Sequence, residues 1–282
     1  IGMMGSPMAR RLQQAGHTVH AWNRTQSKAD PLAALGIAVH ATVAEAVRQA
    51  DIVVSLLENG PAVEHVLFHA GAAQAMRPGT LFIDMASIQP REARDHAARL
   101  GEMGLAHLDA PVSGGTVGAE NGTLAIMAGG RAEDFARAQP VFAALGRATH
   151  VGPHGSGQLA KLANQMIVGI TIGAVAEALL FAAKGGADMA KVREAIQGGF
   201  ADSRILQLHG QRMVDRDFAP KARMGVQLKD MRNALGTAKE IGFDAPVTTL
   251  FEALYAEGVE HGLGELDHSG LFVELASRNA MQ

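Results

Sequence analysis

The chain of 282 residues has no cysteine, so disulfides, thiolate metal sites and a cysteine nucleophile are excluded, and a reducing, cytoplasmic compartment fits. Charge of one sign is also scarce: 25 basic residues stand against 28 acidic ones, a formal charge of −3. That balance offers no electrostatic footprint for nucleic acid, and 48% hydrophobic against 19% charged residues excludes disorder. Small neutral or modestly anionic ligands fit best. A long hydrophobic run is missing too. The most apolar stretch, Met166 to Ala176, is closed off by Asn164, Gln165 and Glu177, well short of the roughly 20 residues a membrane span needs. It reads as a helix buried on most sides, and no membrane partner is expected. His65 and His69 have the spacing of two helical metal ligands, but no His-Glu-x-x-His frames them and no third ligand lies nearby, so no metal is expected. Ser113 lies outside any Gly-x-Ser-x-Gly elbow, which argues against a serine hydrolase. No internal repeat or flexible linker stands out.

What is abundant is glycine, 33 of 282 residues, about 12% against a usual 7% or so. Many of these glycines close short apolar runs: "HTVHAW", "DIVVSLL", "GTLFIDM", "LAHLDAPV", "GTLAIMAGG" and "ATHV". Alternating with helix-like stretches, such runs predict a parallel sheet with crossover helices, and the ends of its strands are where α/β folds bind ligands. Beyond "GPHGSG" the pattern turns helical throughout. One long segment runs from Gln158 to Lys184, where Gly169 and Gly173 would let another backbone approach; further helices are expected over 188–198, 203–215, 225–241, 246–260 and 268–278. The division predicted is an α/β Rossmann-type domain over 1–152 and an all-helical domain over 153–282, joined directly by the long helix. The 13 methionines read as core filler.

Four stretches carry candidate chemistry. "GMMGSP", residues 2–7, reads as the end of a glycine-rich loop entering a helix. Gly2 would let backbone approach a pyrophosphate, Gly5 would let helix and strand pack closely, and Ser6-Pro7 suit an N-cap and first helical residue. The chain thus begins inside the motif, and a natural chain longer by roughly one strand of 5–6 residues and a short lead is expected. The strand "HTVHAW" ends in Asn23, Arg24 and Thr25, where an acidic residue would bind a ribose 2′-hydroxyl and an arginine accommodates a 2′-phosphate. The reading is NADP(H), with Lys28 a further contact and NAD(H) the alternative. In "DAPVSGG" the serine hydroxyl and backbone N–H groups of Ser113, Gly114 and Gly115 suit a carboxylate. In "GSGQLAKLANQ", Lys161, Asn164 and Gln165 share one helical face, and polar groups on so apolar a helix call for polar partners. On their own, Lys229 and Asp230 in "QLKDMRNA" read as surface residues, and His150 and His154 as solvated loop histidines.

Taken together, "GMMGSPMA", "DAPVSGG" with "GTLAIMAGG", "GSGQLAKLANQ" and "LKD" resemble, in order and approximate spacing over nearly the whole chain, the β-hydroxyacid dehydrogenase family. Within it, "KLANQMIV", "AIQGGFADSRIL", "VDRDFAP" and "GLGELDHSGL" resemble most the tartronate semialdehyde (2-hydroxy-3-oxopropionate) reductases, ahead of the 3-hydroxyisobutyrate dehydrogenases. The resemblance implies a site in a cleft between the two domains and an assembly of two or four copies. It implies that Lys161 is the catalytic lysine, that Ser113, Gly114 and Gly115 hold the substrate carboxylate, and that Lys229-Asp230 close over nicotinamide and substrate, with Asn164 and Gln165 orienting lysine or substrate. Gly2, Met3, Met4, Gly5, Asn23, Arg24, Thr25, Leu56, Leu57, Ser87 and Lys229 are then the cofactor contacts. Many relatives carry an aromatic residue eight positions before the aspartate of the Lys-Asp pair; here it is Ala222, which implies a more open pocket. The reaction implied is hydride transfer between NADPH and an aldehyde beside a carboxylate. A lysine ammonium, with an ordinary pKa of about 10.4, is ready to protonate the forming alkoxide at neutral pH. In the oxidative direction it must begin neutral, so alcohol oxidation is expected to run faster at alkaline pH. A similar fold also serves imine reductases, which have another proton donor in the lysine's place, and it would serve a non-catalytic cofactor-binding module. Lys161, Ser113 and Asp230 together argue against both.

Overall fold

The structure is a computed structural model and describes residues 1–281. It divides into two compact units, Ile1–Lys161 and Leu162–Gln282.

In the first unit β1 (His20–Ala21) and β2 (Ala38–Val39) pair in parallel as a small sheet. The larger sheet contains β3 (Ile52–Ser55), β4 (Leu81–Asp84), β5 (Ala106–Asp109), β6 (Val112–Ser113), β7 (Leu124–Gly130) and β8 (Gly146–Gly152), in the order β3-β4-β5-β7-β6 with β8 also on β7. β4 is buried at every residue, as expected of a strand covered on both faces. The sheet is not wholly parallel. β3, β4 and β5 run together, whereas β7 is antiparallel to β5 and β6. The connection over 114–123, built around the short helix Gly115–Asn121, falls below the dozen or more residues that a parallel crossover needs. Helices are started by local side chains. Thr42 and Glu45 form a capping box, as do Gln89 and Glu92 ahead of Pro90, and Asn59 accepts the N–H of Ala62.

In-register pairing puts Ser55 opposite Asp84, and Asp84 opposite Asp109. The last residues of three parallel strands therefore make one polar row, and the segments that leave this edge carry most of the candidate site.

The second unit is helical: the long helix Ser156–Lys184 continues into it, followed by Met189–Ile196, Arg204–Asp215, Met224–Glu240, Pro246–Gly258 and Leu271–Arg278. Ile172, Leu179, Met213, Met224, Met231, Tyr255, Leu271 and Phe272 form its core, and each such side chain contributes about 1.5–3 kcal/mol through burial. The long helix is less enclosed than its composition suggests, since Ile167 and Phe181 are 66% and 81% exposed. Its glycines admit side chains, not another backbone. A Cβ on Gly173 would fall 2.0 Å from the Phe251 ring, and one on Gly169 would fall 2.6 Å from Gln227 Nε2.

Candidate functional site

The helix that follows the opening loop begins at Gly5, so Ser6 and Pro7 lie inside its first turn and Met4 occupies the capping position without a side-chain hydrogen bond. Ser6 is therefore not the cap. The consequence favours a ligand: no side chain caps the first-turn N–H groups, and a Cβ on Gly2 or Gly5 would meet nothing within 4 Å. Ser6 N–H donates to Gly2 O at 3.0 Å, and the remaining backbone N–H groups of a helix start are the chemistry a pyrophosphate needs. Beyond β1, the Asn23 side chain donates to Thr25 O at 2.9 Å, which shapes the Asn23–Thr25 turn, with Arg24 and Lys28 exposed. Leu56 and Leu57 leave the end of β3, and Ser87 lies three residues beyond β4; all three are half-buried. Ser113 ends β6, and Gly114 and Gly115 follow with φ of 136° and 62°, a backbone that side chains beyond glycine rarely adopt.

Lys161 lies in the second turn of the long helix, and that helix is locked to the edge of the sheet. Asp109 Oδ1 accepts the N–H of Gly155 at 2.8 Å, and Oδ2 that of Gln158 at 3.0 Å. Gln158 is fully buried; its Nε2 donates to Ala86 O at 2.8 Å and its Oε1 accepts from Ile88 N at 3.1 Å. Lys161, one turn on from Gln158, is thereby held in register with the segment around Ser87. Gly157 makes the contact close enough, because a Cβ there would fall 2.3 Å from Asp109 O and 2.4 Å from Met127 O. Sequence reading passed over Asp109 and Gln158 as site-building residues. The signal was present: an acid at the end of an apolar strand, and an amide three residues before the lysine on an apolar helix.

Burial dominates the electrostatics of this edge. It pushes Asp84 up to about 7, against the N–H of Ala86 and helped by the Asp109 charge. It pushes Asp109 up to about 6 against the N–H groups of Gly155 and Gln158. His107 is driven down to about 3, first by burial and then by His154, so it is neutral at physiological pH. The two histidines expected to be solvated loop residues are not: His150 lies in β8 and bonds Gly130 O at 2.8 Å, and His154 packs 5.6 Å from the His107 ring. His107, Asp109 and His154 offer ligand atoms within 4.8 Å of one another; of the three, Asp109 braces the helix start, both of its oxygens accepting helix N–H groups.

In the second unit, Asn164 Nδ2 donates to Gln165 Oε1 at 2.9 Å, and Gln165 Nε2 donates to Asp230 Oδ2 at 2.7 Å. Lys229 Nζ lies 3.1 Å from Asp230 Oδ1. Asp230 is only 2% exposed, so the surface reading of the Lys-Asp pair is wrong for the aspartate, whose partners come from a helix more than sixty residues away in sequence. Ala222 is exposed, and its backbone is fixed: Asp267 Oδ2 accepts its N–H at 3.1 Å, and its carbonyl accepts from His268 N at 2.7 Å. Although Asp267 is buried, His209, His268, Ser269 and the Ala222 N–H together hold its carboxyl well below the ordinary range.

Comparison with known proteins gives one direction. Residues 1–152 match the NAD-binding domain of 6-phosphogluconate dehydrogenase, and residues 155–275 match the NAD-binding family of NADP-dependent 3-hydroxyisobutyrate dehydrogenase. The chain is 43% identical to the 2-hydroxy-3-oxopropionate reductase of Escherichia coli (strain K12), over 96% of this chain and 93% of that one. It is 36% identical to a probable mitochondrial 3-hydroxyisobutyrate dehydrogenase-like protein of Arabidopsis thaliana, over 99% of this chain and 84% of that one. Among solved structures, the 3-hydroxyisobutyrate dehydrogenase of Mycobacterium tuberculosis with L-serine superposes with a TM-score of 0.90 at 32% identity, covering 97% of this chain and 96% of that one.

Proposed function

The chain belongs to the β-hydroxyacid dehydrogenase family, and we propose that it interconverts 2-hydroxy-3-oxopropionate, or a closely similar small semialdehyde acid, and its hydroxy acid with NADPH. It is an NAD(P)-dependent oxidoreductase acting on CH–OH groups; the substrate and the preference for NADPH are the proposal. The observation that carries it is Lys161 on a helix whose first turn is fastened to the carboxyl edge of the sheet by Asp109 and Gln158.

The residues of the first unit fit a dinucleotide. Gly2, Met3, Met4 and Gly5 would hold the pyrophosphate at the uncapped helix start, Arg24 with Asn23, Thr25 and Lys28 the 2′-phosphate, and Leu56, Leu57 and Ser87 the remainder. When bound, the cofactor supplies the hydride. Ser113 and the N–H groups of Gly114 and Gly115 hold the substrate carboxylate. Lys161, as ammonium, donates a hydrogen bond from Nζ to the carbonyl oxygen and gives up that proton as the oxygen gains charge. Asn164, Gln165 and Asp230 are assigned to orienting lysine and substrate, and Lys229 to the cofactor. Identity to the Escherichia coli reductase supports the three-carbon semialdehyde; the small side chain at Ala222 supports a larger acid of the 3-hydroxyacid class as the second reading. Self-association into two or four copies is supported by the exposed apolar side chains Ile167 and Phe181.

A steady-state panel of 3-oxo and semialdehyde acids with both cofactors tests the reading. The highest kcat/KM is expected for 2-hydroxy-3-oxopropionate with NADPH, at least tenfold above NADH, with Arg24→Ala removing most of that difference. A wild-type preference for NADH refutes the role of Arg24, and absence of turnover across the panel refutes the reaction.

A further inference from the structure

Gln227 is 1% exposed, lies on the helix Met224–Glu240 one turn before Asp230, and has no part in the chemistry above. Its side chain grips one residue of the long helix twice. Nε2 donates to the backbone carbonyl of Gln165 at 3.0 Å, and Oε1 faces Gln165 Nε2 at 3.4 Å. In an α-helix that carbonyl already receives the N–H of residue 169, so Gln227 uses its second lone pair. Residue 169 is glycine, and a Cβ there would lie 2.6 Å from Gln227 Nε2 and 3.2 Å from Met231 Sδ and Cε. Glycine is a poor choice in a helix interior; here its missing side chain is what lets the amide reach the backbone.

The clasp sets the direction of the Gln165 amide. With Gln227 Oε1 and Asp230 Oδ2 both facing Nε2, Gln165 Oε1 is turned to Asn164 Nδ2, 2.9 Å away. The orientation of three polar side chains assigned to the substrate site follows from one buried amide outside it.

We propose that Gln227 is the positioning residue of this site, fixing Gln165 against Asp230 and Asn164, and that Gly169 is glycine so that the clasp can close. This rests on the reading of Gln165 and Asp230 as substrate-binding groups. Gln165 leads to the substrate, and Gln227 acts only through it.

The test is a set of variants, Gln165→Leu, Gln227→Ala, Gly169→Ala, Gln227→Ala with Gly169→Ala, and Gln227→Ala with Gln165→Leu. Each is measured for kcat and KM with 2-hydroxy-3-oxopropionate, for NADPH Kd by fluorescence, and for Tm. Gln227→Ala and Gly169→Ala are each expected to lower kcat about tenfold while NADPH Kd stays within twofold, even though alanine is the better helix former at 169. With both substitutions kcat falls no further than with Gln227→Ala alone, because the new methyl then meets no amide. In the Gln165→Leu background Gln227→Ala lowers Tm but leaves kcat unchanged, which a merely structural role would not do. Wild-type kcat in Gln227→Ala, or a full additional loss in the Gln165→Leu background, overturns the proposal. If Gln165→Leu itself keeps wild-type kcat, the substrate-site reading fails and the positioning role falls with it; if Gln165→Leu is impaired and Gln227→Ala is not, only the positioning role falls.

Discussion

Within the first unit the start of the long helix is held by Gln158, whose amide reaches out to Ala86 and Ile88, and within the second its middle is held by Gln227, whose amide reaches in to Gln165 O; both amides are buried, and a glycine of the helix stands near each contact. The surroundings differ. Around Gly157 the closest atoms are the backbone carbonyls of Asp109 and Met127, whereas around Gly169 they are the ends of the Gln227 and Met231 side chains. Backbone in a sheet cannot give way, and side-chain ends can. The first contact fixes where the helix lies, and the second tunes which way a few polar groups point. Lys161 belongs to the rigid contact, Gln165 to the adjustable one.

This contrast has graded consequences. The largest concerns Gly157→Ala: with a methyl 2.3 Å and 2.4 Å from two carbonyl oxygens, the helix start must move, and a loss of about 3 kcal/mol or more is expected. Thermal unfolding should show a Tm lower by about 10 °C; a change within 2 °C would break the contrast with Gly169. Next is Gln158→Leu, which removes the partners of Ala86 O and Ile88 N. Each orphaned buried group costs about 1–3 kcal/mol. Denaturant titration should report a loss in that range, and kinetics a fall in kcat larger than any rise in NADPH Kd; an unchanged kcat would separate Gln158 from the placement of Lys161.

The most gradual effect is a pH slope. Asp84 has a folded pKa of about 7 against about 3.9 unfolded. The folded chain therefore binds this proton more tightly, and the ionised form penalises folding. The penalty is absent below about pH 4, grows as pH rises to about 7 and is full above it, on the order of 4 kcal/mol at most, of which the range from pH 5 to pH 8 samples only part. Asp84→Asn removes this term, so its stability relative to the wild type should improve between pH 5 and pH 8 in paired urea titrations. A constant difference across that range would show that Asp84 is ionised at no cost.

Much of this was legible in the residues, for definable reasons. Strand ends announced themselves through glycine and through β-branched runs such as "DIVVSLL", and the helices of the second unit through apolar periodicity. Local signals also marked Gly2–Gly5 and the positive-φ turn at Gly114-Gly115. What stayed hidden depends on pairings between distant residues. Asp230 beside Lys229 looks like surface charge until Gln165, 65 residues away, is placed against it. Asp109 and Gln158 are 49 apart, and neither motif names the other. β2 is too short to show a period, and the reversal at β7 follows from a connection length that composition does not reveal.

The most direct measurement is turnover of Lys161→Ala with NADPH and 2-hydroxy-3-oxopropionate, alongside its NADPH Kd. The account predicts that kcat falls by about 10²–10⁴, the usual worth of a positioned general acid, while NADPH Kd stays within about twofold. Full activity in that variant, or cofactor affinity lost in step with turnover, would contradict it.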